Sequence, residues 1–147
     1  MSRYEHSEVA FDVPREWNDR SIVAFAAPAK PGQATSPNVV MTRDTLGPEE
    51  NTRMYADRQL TELAKRLERF RLQHRQELTI GDLPAVELRF TWNGSSGPLD
   101  QRLLMVGVRG RVLLSFTATA PQNEAAQLQP VFDKIFSTIT FPSRDKI

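Results

Sequence analysis

The sequence predicts an α+β fold, in which an antiparallel β-sheet is packed against helices. Seven segments carry strand patterns, and two carry the three-to-four spacing of an amphipathic helix. The predicted order is βββαββββα, and runs of strands separated by single helices favour an antiparallel sheet. At 147 residues, the chain predicts one domain over residues 1–147. A domain of this size buries roughly two thirds of its unfolded surface, which is enough for a core.

The first three predicted strands hold the most informative pattern. Residues 4–13 alternate weakly, residues 21–26 form the second strand, and residues 38–43 form the third. A strand that is wetted on one face should alternate apolar and polar side chains. Ile22–Ala26 and residues 39–41 instead offer apolar side chains to both faces. Something therefore has to cover the second face of these strands.

A helix is predicted after the third strand. Gly47-Pro48-Glu49-Glu50 indicates its start, because proline and acidic residues are tolerated or favoured in a first helical turn. The pattern runs to about Phe70, and its apolar stripe recurs at spacings of three and four: Ala56, Leu60, Leu63, Leu67 and Phe70.

Four more strands and a second helix complete the prediction. The strands cover residues 72–80, 86–92, 99–108 and 111–120. The polar segment 93–98 predicts a hairpin tip between two of them. The apolar stripe from Leu128 to Ile139 predicts the last helix, in which Pro130 should leave a loose first turn and a firm helix from about Pro130 to Thr138.

Composition narrows the classes of function. Nineteen basic and eighteen acidic residues leave a net charge of +1, which indicates neither nucleic acid nor an acidic membrane as a partner. The chain has no cysteine, so disulfides, thiolate metal sites and a cysteine nucleophile are excluded. Residues 1–8 lack the basic flank and apolar run of an export signal, and no segment reaches the roughly 20 apolar residues of a membrane span. We expect a soluble, cytoplasmic protein.

No catalytic pattern is found. The two histidines, His6 and His74, lie far apart, and the spacing of a zinc site is missing. Neither a G-x-S-x-G elbow nor a P-loop occurs, and Gly94-Ser95-Ser96-Gly97 belongs to the predicted hairpin tip. We therefore expect no enzymatic activity, no cofactor and no metal.

Two groups of charges have structural interpretations. Asp19-Arg20 and Arg43-Asp44 are predicted to form a cross-strand ion-pair cluster. A basic run favours the negative C-terminal pole of the first helix and lacks the stacking aromatics of a single-strand platform. Whether this run has any further role stays open: Lys65, Arg66, Arg69, Arg71 and Arg75.

The apolar strands predict an interaction surface. Two helices of roughly 15 to 20 residues cover one face of a seven-stranded sheet but hardly both. The second face is then solvated, or a second subunit or a ligand covers it. Candidates chosen by parity along each strand are Trp17, Ile22, Ala24, Val39, Met41, Leu103, Met105 and Leu114, and parity leaves the complementary set open.

The first helix adds a polar candidate at the edge of its apolar stripe. Gln59, Leu63 and Leu67 are spaced by four along one flank. The Gln59 amide is either solvated or hydrogen-bonds to a bound apolar partner, as polar side chains do between membrane helices.

Four blocks of residues, in this order, resemble the DcrB-like family and, within it, the Eag chaperones of type VI secretion. The blocks cover nearly the whole chain, and together they are more specific than any one of them. They are Phe11-x-Val13-Pro14-x-x-Trp17-x-Asp19-Arg20-Ser21-Ile22-x-x-Phe25, then Pro37-Asn38-x-Val40-x-x-Arg43-Asp44, then Tyr55-x-x-x-Gln59-Leu60, and finally Gln101-Arg102.

The resemblance implies a PsbP/Mog1-like fold, a homodimer and an apolar groove. The implied client is the N-terminal transmembrane region of a PAAR-containing or Rhs effector, shielded before it is loaded onto the secretion spike, without insertion into a membrane. Gln59 matches a family position that contacts the client. Leu103 replaces a second glutamine, so that contact is either lost or shifted to Gln101. The partner-binding set is then Ile22, Ala24, Val39, Met41, Gln59, Leu63, Leu67, Gln101, Leu103, Met105 and Leu114.

Two other functions stay open at this point. The first is a general Mog1/PsbP-like interaction module that binds a folded partner instead of a membrane helix. The second is a small-molecule hydrolase, for which the sequence offers no motif.

Overall fold

The computed structural model describes residues 1–142 and has eight strands and two long helices within them. No helix in that part of the chain is long and apolar enough to cross a membrane. Short 3-10 turns occupy residues 109–111 and 122–124. The elements are β1 Ser2–His6, β2 Val9–Val13, β3 Ile22–Ala26, β4 Asn38–Thr45, α1 Thr52–Arg66, β5 Arg71–Ile80, β6 Leu83–Gly94, β7 Gly97–Gly107, β8 Val112–Pro121 and α2 Ala125–Ser137.

Six strands form one antiparallel sheet in the order β3-β4-β8-β7-β6-β5. The α+β class and the antiparallel sheet with packed helices are therefore confirmed. The hairpin tip between β6 and β7 also lies where the sequence predicted it, with its turn at Ser95 and Ser96. β3 and β5 are the two edges of this sheet.

The first predicted strand is in fact a hairpin. β1 and β2 pair only with each other and turn at Ser7 and Glu8, so the order is ββββαββββα and the main sheet has six strands, not seven. The apolar phase explains the difference. Tyr4 is even-numbered and Phe11 is odd-numbered, and the two meet across the hairpin with ring centroids 5.1 Å apart. A continuous strand would place them on opposite faces.

Helix α1 is shorter than predicted at both ends. The Asn51 side chain accepts the Met54 N–H at 2.8 Å and caps the helix, so Pro48 and Glu50 lie in the preceding loop. At the other end, Arg69 has a left-handed φ of 55°, which reverses the chain into β5. The apolar period continues to Phe70 because this residue still packs on the core.

Helix α2 is longer than predicted, since it begins at Ala125 and contains Pro130. A proline at this position removes one N–H bond, whose acceptor would be the carbonyl of residue 126. Residue 126 is exposed, so water is available to that carbonyl. The buried side chains of Ala125, Phe132 and Phe136 hold the helix on the sheet despite the missing bond.

The helices lie on opposite faces of the sheet, which corrects the assumption that both share one face. On β7, Leu103 and Met105 belong to the cluster under α1, whereas Leu104 and Val106 belong to the cluster under α2. The apolar residues on both faces of β7 are therefore covered by the protein itself. Gly107 allows the close approach of α1, because a Cβ there would collide with the Thr52 hydroxyl.

A buried arginine fixes α2 to the sheet. Arg102 of β7 pairs with Glu87 of β6 at 3.0 Å and with Asp133 of α2 at 2.6 Å, and its guanidinium lies 5.1 Å from the Phe136 ring centre. Burial lowers the pKa of Arg102, but the hydrogen bonds and charges of Asp133 and Glu87 outweigh it, so the pKa lies above the usual value. The arginine stays charged and binds strand and helix together.

Arg102→Met tests this contact. We expect the free energy of unfolding in urea to fall by about 3 kcal/mol, because the half-buried Glu87 carboxylate is left without its partner. Asp133→Asn is the matched control at the exposed end of the network, and it should cost less than about 1 kcal/mol. Equal, small losses in both variants would contradict this role of Arg102.

Candidate interaction surfaces

The β3 end of the sheet is poorly covered. β3 pairs only with β4, and the two helices pack over strands nearer the middle of the sheet. Ile22 and Phe25 point to opposite faces of β3, and their side chains are 69% and 75% exposed. The apolar character of β3 on both faces is thus left without a partner in the described part of the chain.

The face that holds α1 presents a floor of short, uncharged side chains at this end. Ile22 lies beside Thr42, Ala24 beside Val40, and Val40 beside Thr117. We call these five residues, Ile22, Ala24, Val40, Thr42 and Thr117, the α1-side surface. It has one large apolar side chain, two small ones and two hydroxyls, so another backbone is able to approach it closely.

One flank of α1 borders this floor. The Tyr55 hydroxyl donates to Asp44 Oδ2 of β4 at 2.7 Å, which turns that flank toward the β4 side of the sheet. Gln59 follows one turn later on the same flank and is half-buried. Burial, and then the hydrogen bond to Asp44, raises the pKa of Tyr55, so its hydroxyl stays neutral.

A second amide lies at the β7 side of the floor. Trp92 Nε1 donates to Gln101 Oε1 at 2.6 Å, and Gln101 Nε2 donates to Thr119 Oγ1 at 2.8 Å. These bonds fix the amide and leave it one N–H and one oxygen lone pair. The sequence analysis missed Trp92 and Thr119 because only the register places them beside Gln101, on neighbouring strands.

The loop before β3 is fixed by Asp19. Its carboxylate accepts the Ser21 N–H at 2.9 Å and the Ser21 hydroxyl, and it lies 3.9 Å from Arg43 Nε of β4. The hydroxyl hydrogen bond from Ser21 is the main cause that lowers the pKa of Asp19. The predicted ion pair is confirmed for Asp19 and Arg43, whereas Asp44 binds Tyr55 instead.

The predicted partner-binding residues do not share one face, which corrects the assignment by parity. Ile22, Ala24, Gln101, Leu103 and Met105 lie on the α1 side of the sheet, but three others lie on the α2 side. These three, all half-buried, are Val39, Met41 and Leu114. Alternation correctly predicts which residues of one strand share a face. Which residues of two neighbouring strands share a face depends on the register between them, and Ala24 pairs with Val40 and not with Val39.

Burial removes three more residues from the surface. Leu63, Leu103 and Met105 are buried in the core beneath α1, and Leu67 is half-buried against the same core. They stabilise the fold and are closed to a partner in this conformation. Of the predicted set, Ile22, Ala24, Gln59 and Gln101 remain accessible at the α1-side surface or its edges. Trp17 is 68% exposed and precedes β3.

The opposite face has an apolar groove between β3 and α2. It has a volume of about 390 Å³, and no charged side chain lines it. Phe25 forms one side, and Val131 and Ile135 of α2 form the other. These three residues define the β3–α2 groove.

The basic run spans the end of α1 and the start of β5. Lys65 and Arg66 occupy the last turn of α1, as predicted for cations near that pole. Arg75 of β5 pairs with Asp57 of α1 at 2.7 Å. These contacts give the run a structural role.

Comparison with known proteins identifies relatives over nearly the whole chain. Residues 8–138 match the model of the DcrB family. A curated protein of Pseudomonas aeruginosa named Effector EagT6 is 31% identical over 123 residues, which are 84% of this chain and 85% of that protein. The crystal structure of PA94 from Pseudomonas aeruginosa, described as a protein of unknown function, superposes with a TM-score of 0.83 at 26% identity, covering 97% of this chain and 98% of that one.

More distant structures share the fold alone. LpqN of Mycobacterium tuberculosis has a TM-score of 0.56 at 15% identity, over 80% of this chain and 82% of that one. Cyanobacterial PsbP of Synechocystis has a TM-score of 0.55 at 9% identity, over 93% and 89% of the two chains. The PsbP-like fold implied by the sequence resemblance is therefore confirmed.

Tyr55→Phe tests the contact that positions the flank of α1. At pH 7 we expect a loss of about 1.5 to 3 kcal/mol in the free energy of unfolding, since one hydrogen bond to a carboxylate is removed. The raised pKa means that the folded chain keeps a proton that the unfolded chain loses above about pH 10, so this stabilisation falls as the pH rises further. Urea unfolding should show a shallower alkaline loss in the variant than in the wild type. Parallel pH profiles of the two proteins would contradict the link between ionisation of Tyr55 and unfolding. Asp44→Asn keeps an acceptor for the Tyr55 hydroxyl, so its alkaline loss of stability should lie between those of the wild type and Tyr55→Phe.

Proposed function

The chain belongs to the DcrB family, and we propose that it is a non-enzymatic chaperone that shields the N-terminal transmembrane helices of a type VI secretion effector. Its likeness to a protein named Effector EagT6 supports a role associated with effectors. The α1-side surface supports the more specific part of the proposal, namely that the client is an apolar helix.

The width of this surface suits one helix. β3, β4 and β8 are neighbours, and three strands spaced by about 4.8 Å make a floor roughly 10 to 14 Å wide. A helix with its side chains is about 10 to 12 Å across. β3 has five residues, so the stretch that all three strands share is on the order of 17 Å long, about half of the roughly 30 Å of a membrane-spanning helix.

The chemistry of the surface resembles a contact between membrane helices. Such contacts use small residues that let backbones approach, together with uncharged polar side chains that hydrogen-bond across the interface. Ala24, Thr42 and Thr117 supply short side chains, and the amides of Gln59 and Gln101 border the floor on the side of α1 and β7. No charged residue is among the five of the α1-side surface, so a client helix meets no unpaired charge there.

The energy available is sufficient for a stable complex. Removing about 400 Å² of client surface from water returns on the order of 10 kcal/mol at about 25 cal/mol per Å², before ordering costs. A homodimer with two such surfaces would shield a client region that contains more than one helix, and the homodimer is part of the proposal.

The alternative, a module that binds a folded protein, fits the surface less well. Interfaces between folded proteins rely on anchors such as tryptophan, tyrosine and arginine. The α1-side surface has none of these among its five residues. Ile22 is the one large apolar side chain of this surface and would have to hold a folded partner alone. The surface therefore favours an apolar helix as the client.

Ala24→Asp is the direct test of client binding. Co-expression with the N-terminal region of the effector encoded beside this gene should give a soluble complex with the wild type. The variant should bind at least about 100-fold more weakly, because a carboxylate would be buried against the client without a partner. Phe25→Asp on the opposite face of the same strand is the matched control and should keep the client. A client that stays soluble without this protein would overturn the function, and unchanged binding by Ala24→Asp would overturn the assigned face.

Gln59→Ala tests the amide at the edge of the floor. We expect a three- to six-fold weaker complex, since a hydrogen bond between helices in a membrane is worth about 0.6 to 1 kcal/mol. Gln73→Ala on the exposed edge strand β5 serves as the control and should bind like the wild type. Equal affinities for all three proteins would show that Gln59 is merely solvated.

A further inference from the structure

A largely apolar cavity lies at the end of the sheet where α1 begins. We call it the end cavity; it lies where β5 turns into β6 and where β7 ends. Its volume of about 550 Å³ is typical of sites for small molecules. Its apolar walls come from both sides of the sheet: Leu46 and Val86 belong to the cluster under α1, and Leu78, Leu83 and Val108 pack against the cluster under α2.

The first turn of α1 forms a polar wall of the end cavity. Asn51, Thr52 and Arg53 all line it. The Asn51 side chain binds the Met54 N–H, so the N–H groups of Thr52 and Arg53 are left without a partner inside the helix. Together with the positive pole of the helix, these groups favour an anion.

A buried hydroxyl opens into the same cavity. Thr52 is 4% exposed, and within residues 1–142 its hydroxyl makes no hydrogen bond. Every side-chain polar atom that is sealed from solvent in that part of the chain has a partner, so the Thr52 oxygen is not sealed. Gly107 leaves space beside this oxygen, and both residues line the cavity. The hydroxyl is therefore available to a ligand.

The charged side chains around the cavity favour one negative charge. Arg53 and Arg109 line it, are exposed, and form no ion pair with the described residues of the chain. Glu77 of β5 also lines the cavity and opposes them. Two guanidinium groups and a helix pole of about half a charge, set against one carboxylate, match a monoanion better than a dianion. A carboxylate carries one charge and accepts two parallel hydrogen bonds from a guanidinium, whereas a phosphate monoester carries nearly two charges.

We propose that the end cavity binds a small amphiphile that carries one carboxylate, such as a medium-chain alkyl carboxylate. The carboxylate lies at the first turn of α1, where it accepts a hydrogen bond from the Thr52 hydroxyl and pairs with Arg53 and Arg109. The alkyl chain packs on the apolar walls that Leu83 and Val108 help to form.

This site is separate from the proposed client surface. The α1-side surface belongs to β3, β4 and β8, and none of its five residues lines the end cavity. Binding of the carboxylate goes beyond the proposed function and does not rest on it. Variants of the two sites therefore distinguish failure of one proposal from failure of the other.

Isothermal titration calorimetry of the full chain with sodium octanoate tests the site. We expect one molecule per chain and a dissociation constant on the order of 0.1 mM, as is usual for a ligand of about ten non-hydrogen atoms. 1-Octanol has the same chain length without the charge, and octyl phosphate has nearly two charges; both should bind at least about fivefold more weakly. Equal binding of 1-octanol would overturn the need for an anion, and tighter binding of octyl phosphate would overturn the choice of a carboxylate.

Charge variants at exposed positions locate the octanoate. Arg53→Gln and Arg109→Gln should each weaken its binding about tenfold, because each removes a charged hydrogen-bond donor. Arg66→Gln removes the same charge at the other end of α1, so it is the matched control and should bind like the wild type. Glu77→Gln should tighten binding about threefold, because it removes the opposing charge.

Thr52→Val separates binding from stability. It keeps the shape of the side chain and should weaken octanoate binding about fivefold. The thermal unfolding midpoint should not fall, because the hydroxyl has no partner within residues 1–142. Ala24→Asp and Phe25→Asp, on the two faces of β3, should bind octanoate like the wild type.

Two results would overturn the proposal. One is a wild type that does not bind octanoate. The other is binding that Ala24→Asp or Phe25→Asp abolishes and Arg53→Gln retains, because the octanoate would then lie at the β3 end of the sheet.

Discussion

A sheet with apolar side chains on both faces has to be covered on both, and this chain has one helix for each face. Strand β7, in the middle of the sheet, is covered on both sides, so Met105 and Val106 are fully buried although they point in opposite directions. Two helices of 15 and 13 residues do not reach the β3 edge. The uncovered surfaces of the molecule follow from this limit.

Polar contacts hold the layers in place where apolar packing would let them slide. Arg102 joins β7, β6 and α2, while Tyr55 joins α1 to β4 through Asp44. Each contact gives one helix a fixed position over the sheet. The resemblance blocks contain Arg102, Tyr55 and Asp44, so part of what marks this family in the sequence is explained by the packing of its two helices.

The two faces of the β3 edge differ in chemistry. The α1-side surface is built from Ala24, Val40 and hydroxyl side chains, which suits the close approach of an apolar helix. The β3–α2 groove has larger apolar side chains such as Phe25 and Ile135. The same five-residue strand thus carries the proposed client surface on one face and one side of the β3–α2 groove on the other.

The sequence by itself determined the element types, the antiparallel class and the family, because period-two and three-to-four patterns and the four blocks are local. It also indicated that the side chains of Ile22 and Ala24 lie on the same face of their strand and that Gln59 lies at the edge of the apolar stripe of α1. Only the tertiary structure decided that α1 and α2 take opposite faces, that residues 4–13 fold into a hairpin, and that Val39, Met41 and Leu114 lie away from Ile22. The physical reason is register: alternation fixes which residues of one strand share a face, whereas hydrogen bonds between strands fix which faces coincide.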